Sequence, residues 1–234
     1  MEKREQLYEG KAKKVFRTDD PALIIQEFKD DATAFDATKR GTIPGKGVVN
    51  NRVSTMLFGV LEANGIPTHF VKQLDDRRML AKKVMIIPIE VTIRNIVAGG
   101  MAKLLGIEEG RVLKEPVLEY HYKEDALHDP LFNEYHIKAL ELATDEELAT
   151  IKRYSFKVND VLRGFFDKKN LILVDFKLEF GRFGDTVILA DEISPDTCRL
   201  WDKATRKKLD KDRFRRDLGD VEEAYREVLR RVSE

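Results

Sequence analysis

Residues 173–182, LVDFKLEFGR, alternate polar with apolar side chains from Asp175 to Phe180. A period of two is the repeat of a β-strand, so Asp175, Lys177 and Glu179 must project together while Phe176, Leu178 and Phe180 face the other way. A chain built around this segment needs a sheet with a core on one side and a charged row on the other. Residues 186–193 read as a second strand, joined through Gly181 to Asp185 by a connection short enough for a hairpin. An odd-with-odd register would bring Asp191 onto the face of Asp175 and Glu179. Repelling carboxylates held together call for a cation, and Mg²⁺ takes one or two carboxylates plus phosphate oxygens and water, so nucleotide chemistry is one reading. A solvated outer face of a two-stranded ribbon is the other, and the alternation leaves both open.

The remaining pattern predicts an α+β chain. Short strands around 7–8, 12–17 and 22–28, the first two flanking a turn at Gly10, predict an antiparallel meander. Val49, Val53, Met56, Leu57, Val60 and Leu61 recur at helical spacing over 48–64, and Asn64, Gly65 and Pro67 stop the helix. Strands follow at 68–72 and 81–93, with a hinge expected near Pro88, which divides a β-rich unit, 1–87, from an α+β unit, 88–234. Thr144 to Glu147 form a capping box that opens a helix running to about Phe166. A last amphipathic helix is expected over 221–232.

At 234 residues, against a prior of roughly 150 per domain, the chain suits one large domain or two small ones around a cleft. Forty-two basic and 42 acidic residues cancel, so no global field exists to hold nucleic acid or an anionic membrane, and any basic site is local. Charged residues make up 36% of the chain, more than the roughly 25% of average proteins, which hints at a thermophilic source. Cys198 is the single cysteine, which rules out an internal disulfide and a multi-cysteine metal site. MEKREQLYEG lacks a secretory apolar core, and the longest apolar run, VMIIPIEV, is broken by Pro88 and too short to span a bilayer. The expectation is a cytoplasmic protein.

Other stretches carry candidate anion sites, each with a plainer alternative. In LYEGKAKKVF, Gly10 permits a tight turn, and Lys11 and Lys13 at period two would point the same way, as for a polyphosphate or an exposed basic hairpin. No Walker A loop exists, since Lys46 of the GTIPGKG stretch is followed by glycine. Amides opening the helix after that loop suit an anion. Arg94 in IEVTIRNIVAGG and Arg199 in DEISPDTCRLWD suit phosphate or carboxylate, although Arg94 serves equally in an ion pair and Arg199 could stack on Trp201. Asp129 after His128 reads as a site residue or a turn starter. His69, His121, His128 and His136 lack the HExxH spacing of a zinc hydrolase, and no GxSxG elbow occurs.

Together, LYEGKAKKVF, the KGxVNN of residues 46–51, IPIEVTIRNIVAGG, DALHDPLFNE, LVDFKLEFGR and DEISPDTCRLWDK resemble the compact bacterial SAICAR synthetases nearly end to end. The resemblance implies two lobes, a protein-kinase-like antiparallel β lobe and a larger ATP-grasp-like lobe, with ATP between them. It implies ATP-dependent ligation of 5-aminoimidazole-4-carboxylate ribonucleotide (CAIR) to L-aspartate, giving SAICAR, ADP and phosphate through an acyl phosphate, in a homodimer. Carried over by residue, Gly10, Lys11, Ala12 and Lys13 contact phosphate, and Val15, Ile24, Val84, Met85 and Ile86 line the adenine slot. Glu179 and Asp191 hold Mg²⁺. Asp175, Lys177 and Asp129 lie at the reacting groups, while Arg94 and Arg199 clamp the ribotide phosphate with Asp36 nearby. Gly100 stands where some relatives have serine, so its amide would replace a side-chain hydrogen bond. The rivals are another ATP-dependent carboxylate–amine ligase, a small-molecule kinase, or a nucleotide-binding regulatory module.

Overall fold

The computed structural model describes residues 2–34 and 38–234. β1 (Gln6–Glu9), β2 (Lys13–Arg17) and β3 (Leu23–Phe28) form the expected meander. A two-stranded ribbon, β4 (Asp31–Ala34) with β5 (Lys39–Thr42), leads into α1 (Lys46–Ala63), and β6 (Phe70–Gln73) and β7 (Arg78–Lys82) complete an antiparallel five-stranded sheet in the order β1-β2-β3-β7-β6. Both faces are apolar: Val15, Ile24 and Ala81 pack together on one, and Phe16, Ile25 and Leu80 on the other.

α1 starts without a side-chain cap of its own, with Gly45 at φ 77°. Asp30 supplies the anion instead, accepting from the Gly45 and Gly47 amides at 3.3 and 2.9 Å while Arg77 grips both of its oxygens at 2.8 Å. The helix terminus that the sequence offers to an anion is therefore satisfied from within the chain. Gly47 makes this possible, because a Cβ there would lie 2.5 Å from the Phe28 carbonyl oxygen.

The strand expected over 81–93 is two strands. The chain leaves the first sheet after Lys82 and enters the second as β8 (Met85–Ile96), so Lys83 and Val84 make the crossing. Pro88 lies inside β8, at an irregularity in its pairing, where a missing N–H is tolerated. α2 (Gly99–Leu105), β9 (Val112–Tyr122), a 3₁₀ turn (Asp125–Leu127), β10 (Leu131–Phe132) and α3 (Glu134–Ala139) follow. α4 (Asp145–Lys168) then begins on the expected capping box, with Thr144 Oγ1 accepting from the Glu147 amide and Glu147 accepting from the Thr144 amide.

β11 (Leu171–Phe183) is the centre of the second sheet, ordered β10-β9-β8-β11-β12 with β12 (Thr186–Ala190), while β13 (Cys198–Asp202) pairs alongside the first half of β11. All of these pairings are antiparallel. An irregularity between Leu173 and Asp175 shifts the alternation by one residue: Leu171 and Leu173 share the main core with Phe176, Leu178 and Phe180, whereas Val174 joins Trp201 in a separate cluster. α4 packs on β11, and α5 (Asp212–Arg215) and α6 (Val221–Ser233) close the chain, α6 lying against α1. One continuous apolar core joins residues of both sheets with α1, α4 and α6.

Candidate active site

The face of the second sheet turned away from that core is polar. Asp175 is paired across β11 with Arg94 of β8 and Arg199 of β13, Lys177 with Thr92, and Glu179 with Glu90. Glu119 and His121 of β9 extend the same rows through Thr92 and Glu90. The charged row legible in the sequence is therefore the floor of a site spread over four strands.

Asp175 is its pivot. Arg94 Nη1 donates to Asp175 Oδ2 at 2.8 Å, and Arg199 Nη1 donates to Oδ1 and Oδ2 at 3.0 and 2.9 Å. Each guanidinium is also held from behind, Arg94 Nε by Glu119 and Arg199 Nε by Asp212, at 2.8 and 2.9 Å. Both arginines are buried or nearly so, and the second carboxylate fixes the plane in which each fork lies. Trp201 takes no part in holding Arg199; the Lys208 ammonium sits over its ring instead, 4.7 Å from the centroid. Gly99 is required by this packing, since at φ 52° its Cβ would fall 2.3 Å from Arg199 Nη2, and the expected Gly100 lies one residue on, facing Arg94 Nη2 at 3.9 Å. Asp129 reaches the network through its backbone: its carbonyl oxygen is 3.1 Å from His121 Nδ1, while His121 Nε2 lies 3.4 Å from Glu119. Its own carboxylate accepts from the Glu124 amide at 3.0 Å.

Along the row, Lys177 Nζ donates to Glu90 at 2.5 Å and Lys123 Nζ to Glu179 at 2.8 Å. Asp191 reaches Glu179 by a different route from the one the sequence suggests. The β11–β12 register pairs odd with even residues, Glu179 opposite Ala190, and Asp191 follows the strand at φ 60°, a left-handed turn that an aspartate tolerates. Burial and the neighbouring Asp191 push the Glu179 carboxyl up to about 7. Burial would raise Asp191 as well, but the Lys13 ammonium holds it below the ordinary value.

Lys13 crosses from the first sheet to pair with both Asp191 and Glu192. Burial opposes its charge, and the two carboxylates more than compensate, raising its pKa. Lys11 does not run parallel to it. It precedes β2 in a bend and donates to Asp125 Oδ1 at 2.6 Å. Gly10 has no positive φ, and a Cβ would meet nothing closer than 3.7 Å, so the turn does not demand glycine. Val15 and Ile24 are buried on the face of the first sheet that carries Lys13, Val84 packs against Gly181, Met85 is exposed and Ile86 half-buried. Asp36 lies outside the described residues.

Lys123, Glu90, Glu119, Glu192, Lys46 and Asp212 escaped the sequence reading. Lys46 stands in the KGxVNN stretch, and its role is fixed by Asp196, 150 residues away, at 2.7 Å. A cavity of about 60 Å³ opens between Thr92, Arg94, Asp175, Lys177, Arg199 and Arg215. Cys198 also borders it, but burial pushes its thiol well above the ordinary range, which leaves it a poor nucleophile.

Among the described residues no group of three His, Cys, Asp or Glu converges as a self-contained metal site. Glu179 and Asp191 instead form a mutually repelling pair, each held by one lysine, and two carboxylates are the donor set that Mg²⁺ completes with phosphate oxygens.

The SAICAR synthetase family profile matches residues 6–232. A phosphoribosylaminoimidazole-succinocarboxamide synthase of Caldanaerobacter subterraneus subsp. tengcongensis is 63% identical over 234 residues, the whole of both chains. The crystal structure of the corresponding synthase from Ehrlichia chaffeensis superposes with a TM-score of 0.96 at 48% identity, covering 98% of each chain. A SAICAR synthetase in complex with ADP superposes at 0.94 with 49% identity over 97% of each. With its full length matched in sequence and in fold, the chain belongs to the SAICAR synthetase family.

Proposed function

We propose that the chain joins CAIR to L-aspartate at the expense of ATP, forming SAICAR, ADP and phosphate in purine biosynthesis. The observation that carries this reading is the meeting of two charge systems on one sheet face: Lys13, Lys123, Glu179 and Asp191 at one end, and the Arg94–Asp175–Arg199 fork at the other. The first has the groups a nucleotide triphosphate needs. The second suits a small dianion. Lys177 lies between them.

In this reading the five-stranded sheet, within residues 1–87, is a kinase-like nucleotide lobe and residues 88–234 an ATP-grasp-like lobe. The adenine rests against Val15 and Ile24 beside the Val84–Ile86 segment. β9 pairs with β8 only from Ile89 onward, so one edge of Met85 and Ile86 keeps its backbone groups for the base. Gly10, Lys11, Ala12 and Lys13 contact the phosphates, and the ADP bound to the related synthetase supports nucleotide use. Glu179 and Asp191 would hold Mg²⁺, which when bound supplies charge neutralisation at the phosphates.

The CAIR carboxylate is a poor electrophile until phosphorylated. Its oxygen attacks the γ-phosphorus and ADP leaves; the aspartate amine then attacks the acyl carbon, phosphate leaves, and a proton departs from nitrogen. The protein's part is orientation and charge stabilisation. Arg94 and Arg199, with the Gly100 amide and Asp36, hold the ribotide; Lys177 meets the developing charge; Asp175 or Asp129 takes the amine proton. The same reading includes a cytoplasmic homodimer, and no helix among the described residues is long and apolar enough to cross a membrane.

The test is ADP release from Mg-ATP and CAIR with and without L-aspartate, with mass spectrometry following the ribotide. Release that requires aspartate, with a succinocarboxamide product, is expected. Asp191→Asn should lower kcat by about 100-fold or more without unfolding the chain, since asparagine also accepts a left-handed backbone. Near wild-type kcat would remove Asp191 from the nucleotide site.

A further inference from the structure

Glu192 has no role in the scheme above, although it is tied to Lys13 as closely as Asp191 is. The Lys13 ammonium pairs with both carboxylates at once. What the two acids face differs: the Asp191 side chain is 27% exposed, whereas that of Glu192 is 4% exposed and that of Lys13 10%. Asp191 is the open side of this triad, next to Glu179, and Glu192 is its closed side.

The closed side is also the fixed side. The Glu192 carbonyl oxygen accepts from Thr197 Oγ1 at 3.3 Å, and the following carbonyl, that of Ile193, accepts from the buried Ser54 Oγ of α1 at 3.1 Å. Burial, with Asp191 and Asp196 adding to it, raises the Glu192 pKa, and Lys13 is the cation that pulls against them. A buried carboxylate close to two others is costly by itself, and a buried ion pair repays little of that cost in stability. The pair therefore matters for where it puts the ammonium.

That position is under competition. A divalent cation shared by Glu179 and Asp191 would meet Lys13 at the Asp191 carboxylate, and two cations on one carboxylate repel. Lys13 must then give up its open partner and still face the phosphates. The partner that remains is the buried one.

We propose that Glu192 is a positioning residue for Lys13, which keeps the ammonium at the phosphate site when a divalent cation occupies Asp191. The inference rests on the nucleotide and metal reading above and assigns a residue which that reading leaves without a part.

The experiment is calorimetric titration of ADP into wild type and Glu192→Gln, once with a chelator and once with saturating Mg²⁺. In chelator Asp191 still holds Lys13, so the variant should bind ADP within about twofold of wild type, whereas in Mg²⁺ its dissociation constant should rise about tenfold or more. Steady-state kinetics should show the same selectivity, with KM for ATP raised about tenfold and KM for CAIR and L-aspartate within about twofold of wild type. An equal loss with and without Mg²⁺ overturns the proposal, because a merely structural role would weaken both alike, and so does an unchanged affinity in Mg²⁺. Should the glutamine variant fold poorly, Glu192→Asp carries the same comparison: it keeps the charge on a shorter arm, and a loss of about threefold or more confined to Mg²⁺ is expected. A wild-type protein whose ADP affinity is indifferent to Mg²⁺ would strike the metal reading itself, and the proposal with it.

Discussion

Asp175 accepts from two guanidiniums that arrive from strands on either side of β11, so its position depends on the space left for each. For Arg199 that space is the missing side chain of Gly99. Gly99→Ala would place a methyl 2.3 Å from Arg199 Nη2 on a backbone at φ 52°. The variant should lose about 1 to 3 kcal/mol of stability and raise KM for CAIR about tenfold, because the fork must move to relieve the clash. Thermal melts and CAIR kinetics check this, and an unmoved KM would show that Arg199 does not hold the ribotide. Residue types and periods were legible here. Backbone torsions were not: Gly10 reads as a turn glycine and has no positive φ, whereas Gly99, in a pair with Gly100, has φ 52°. Asp212 offered no local signal, since its meaning comes from Arg199, which reaches it from β13.

Elements whose reason for existing is local were read from the sequence with little loss. The Thr144–Glu147 box starts α4 where the residue types dictate, and Glu147 is further fixed by Arg182 Nη2 at 2.9 Å. Thr144→Ala should therefore cost about 1 kcal/mol, visible as a lower urea midpoint, while kcat stays at its wild-type value, because the box anchors the helix and touches none of the polar face. A variant with reduced kcat and unchanged midpoint would contradict that separation. Features set by pairing between elements were harder to read. The irregularity at Leu173–Asp175 reverses which face each residue takes, and the odd-with-even register of β11 and β12 depends on how the turn is closed rather than on the alternation of either strand. Asp191 still approaches Glu179 because the chain twists at φ 60° after β12.

At the scale of the whole molecule, 42 positive and 42 negative charges cancel, so the electrostatics that matter are the pairs drawn together by folding. Lys13 is the most consequential, because it carries a charge from the first sheet to two carboxylates at the end of the second. The folded state holds Asp191 below its ordinary 3.8 and Lys13 above its ordinary 10.5. A depressed acid stabilises the fold above its unfolded pKa, and a raised base does so below its unfolded pKa, so the pair contributes across the interval between those values and weakens only outside it. Lys13→Met removes the cation and leaves the buried Glu192 and the half-buried Asp191 side by side without it. A broken buried pair costs roughly 3 to 5 kcal/mol, and the loss should be greatest where both carboxylates are ionised. In buffer free of nucleotide and divalent cations, the deficit relative to wild type should therefore be large at pH 8 and shrink toward pH 5 as the two acids share protons. A deficit below about 1 kcal/mol, or one independent of pH, would mean that water compensates the carboxylates and that Lys13 serves the nucleotide alone.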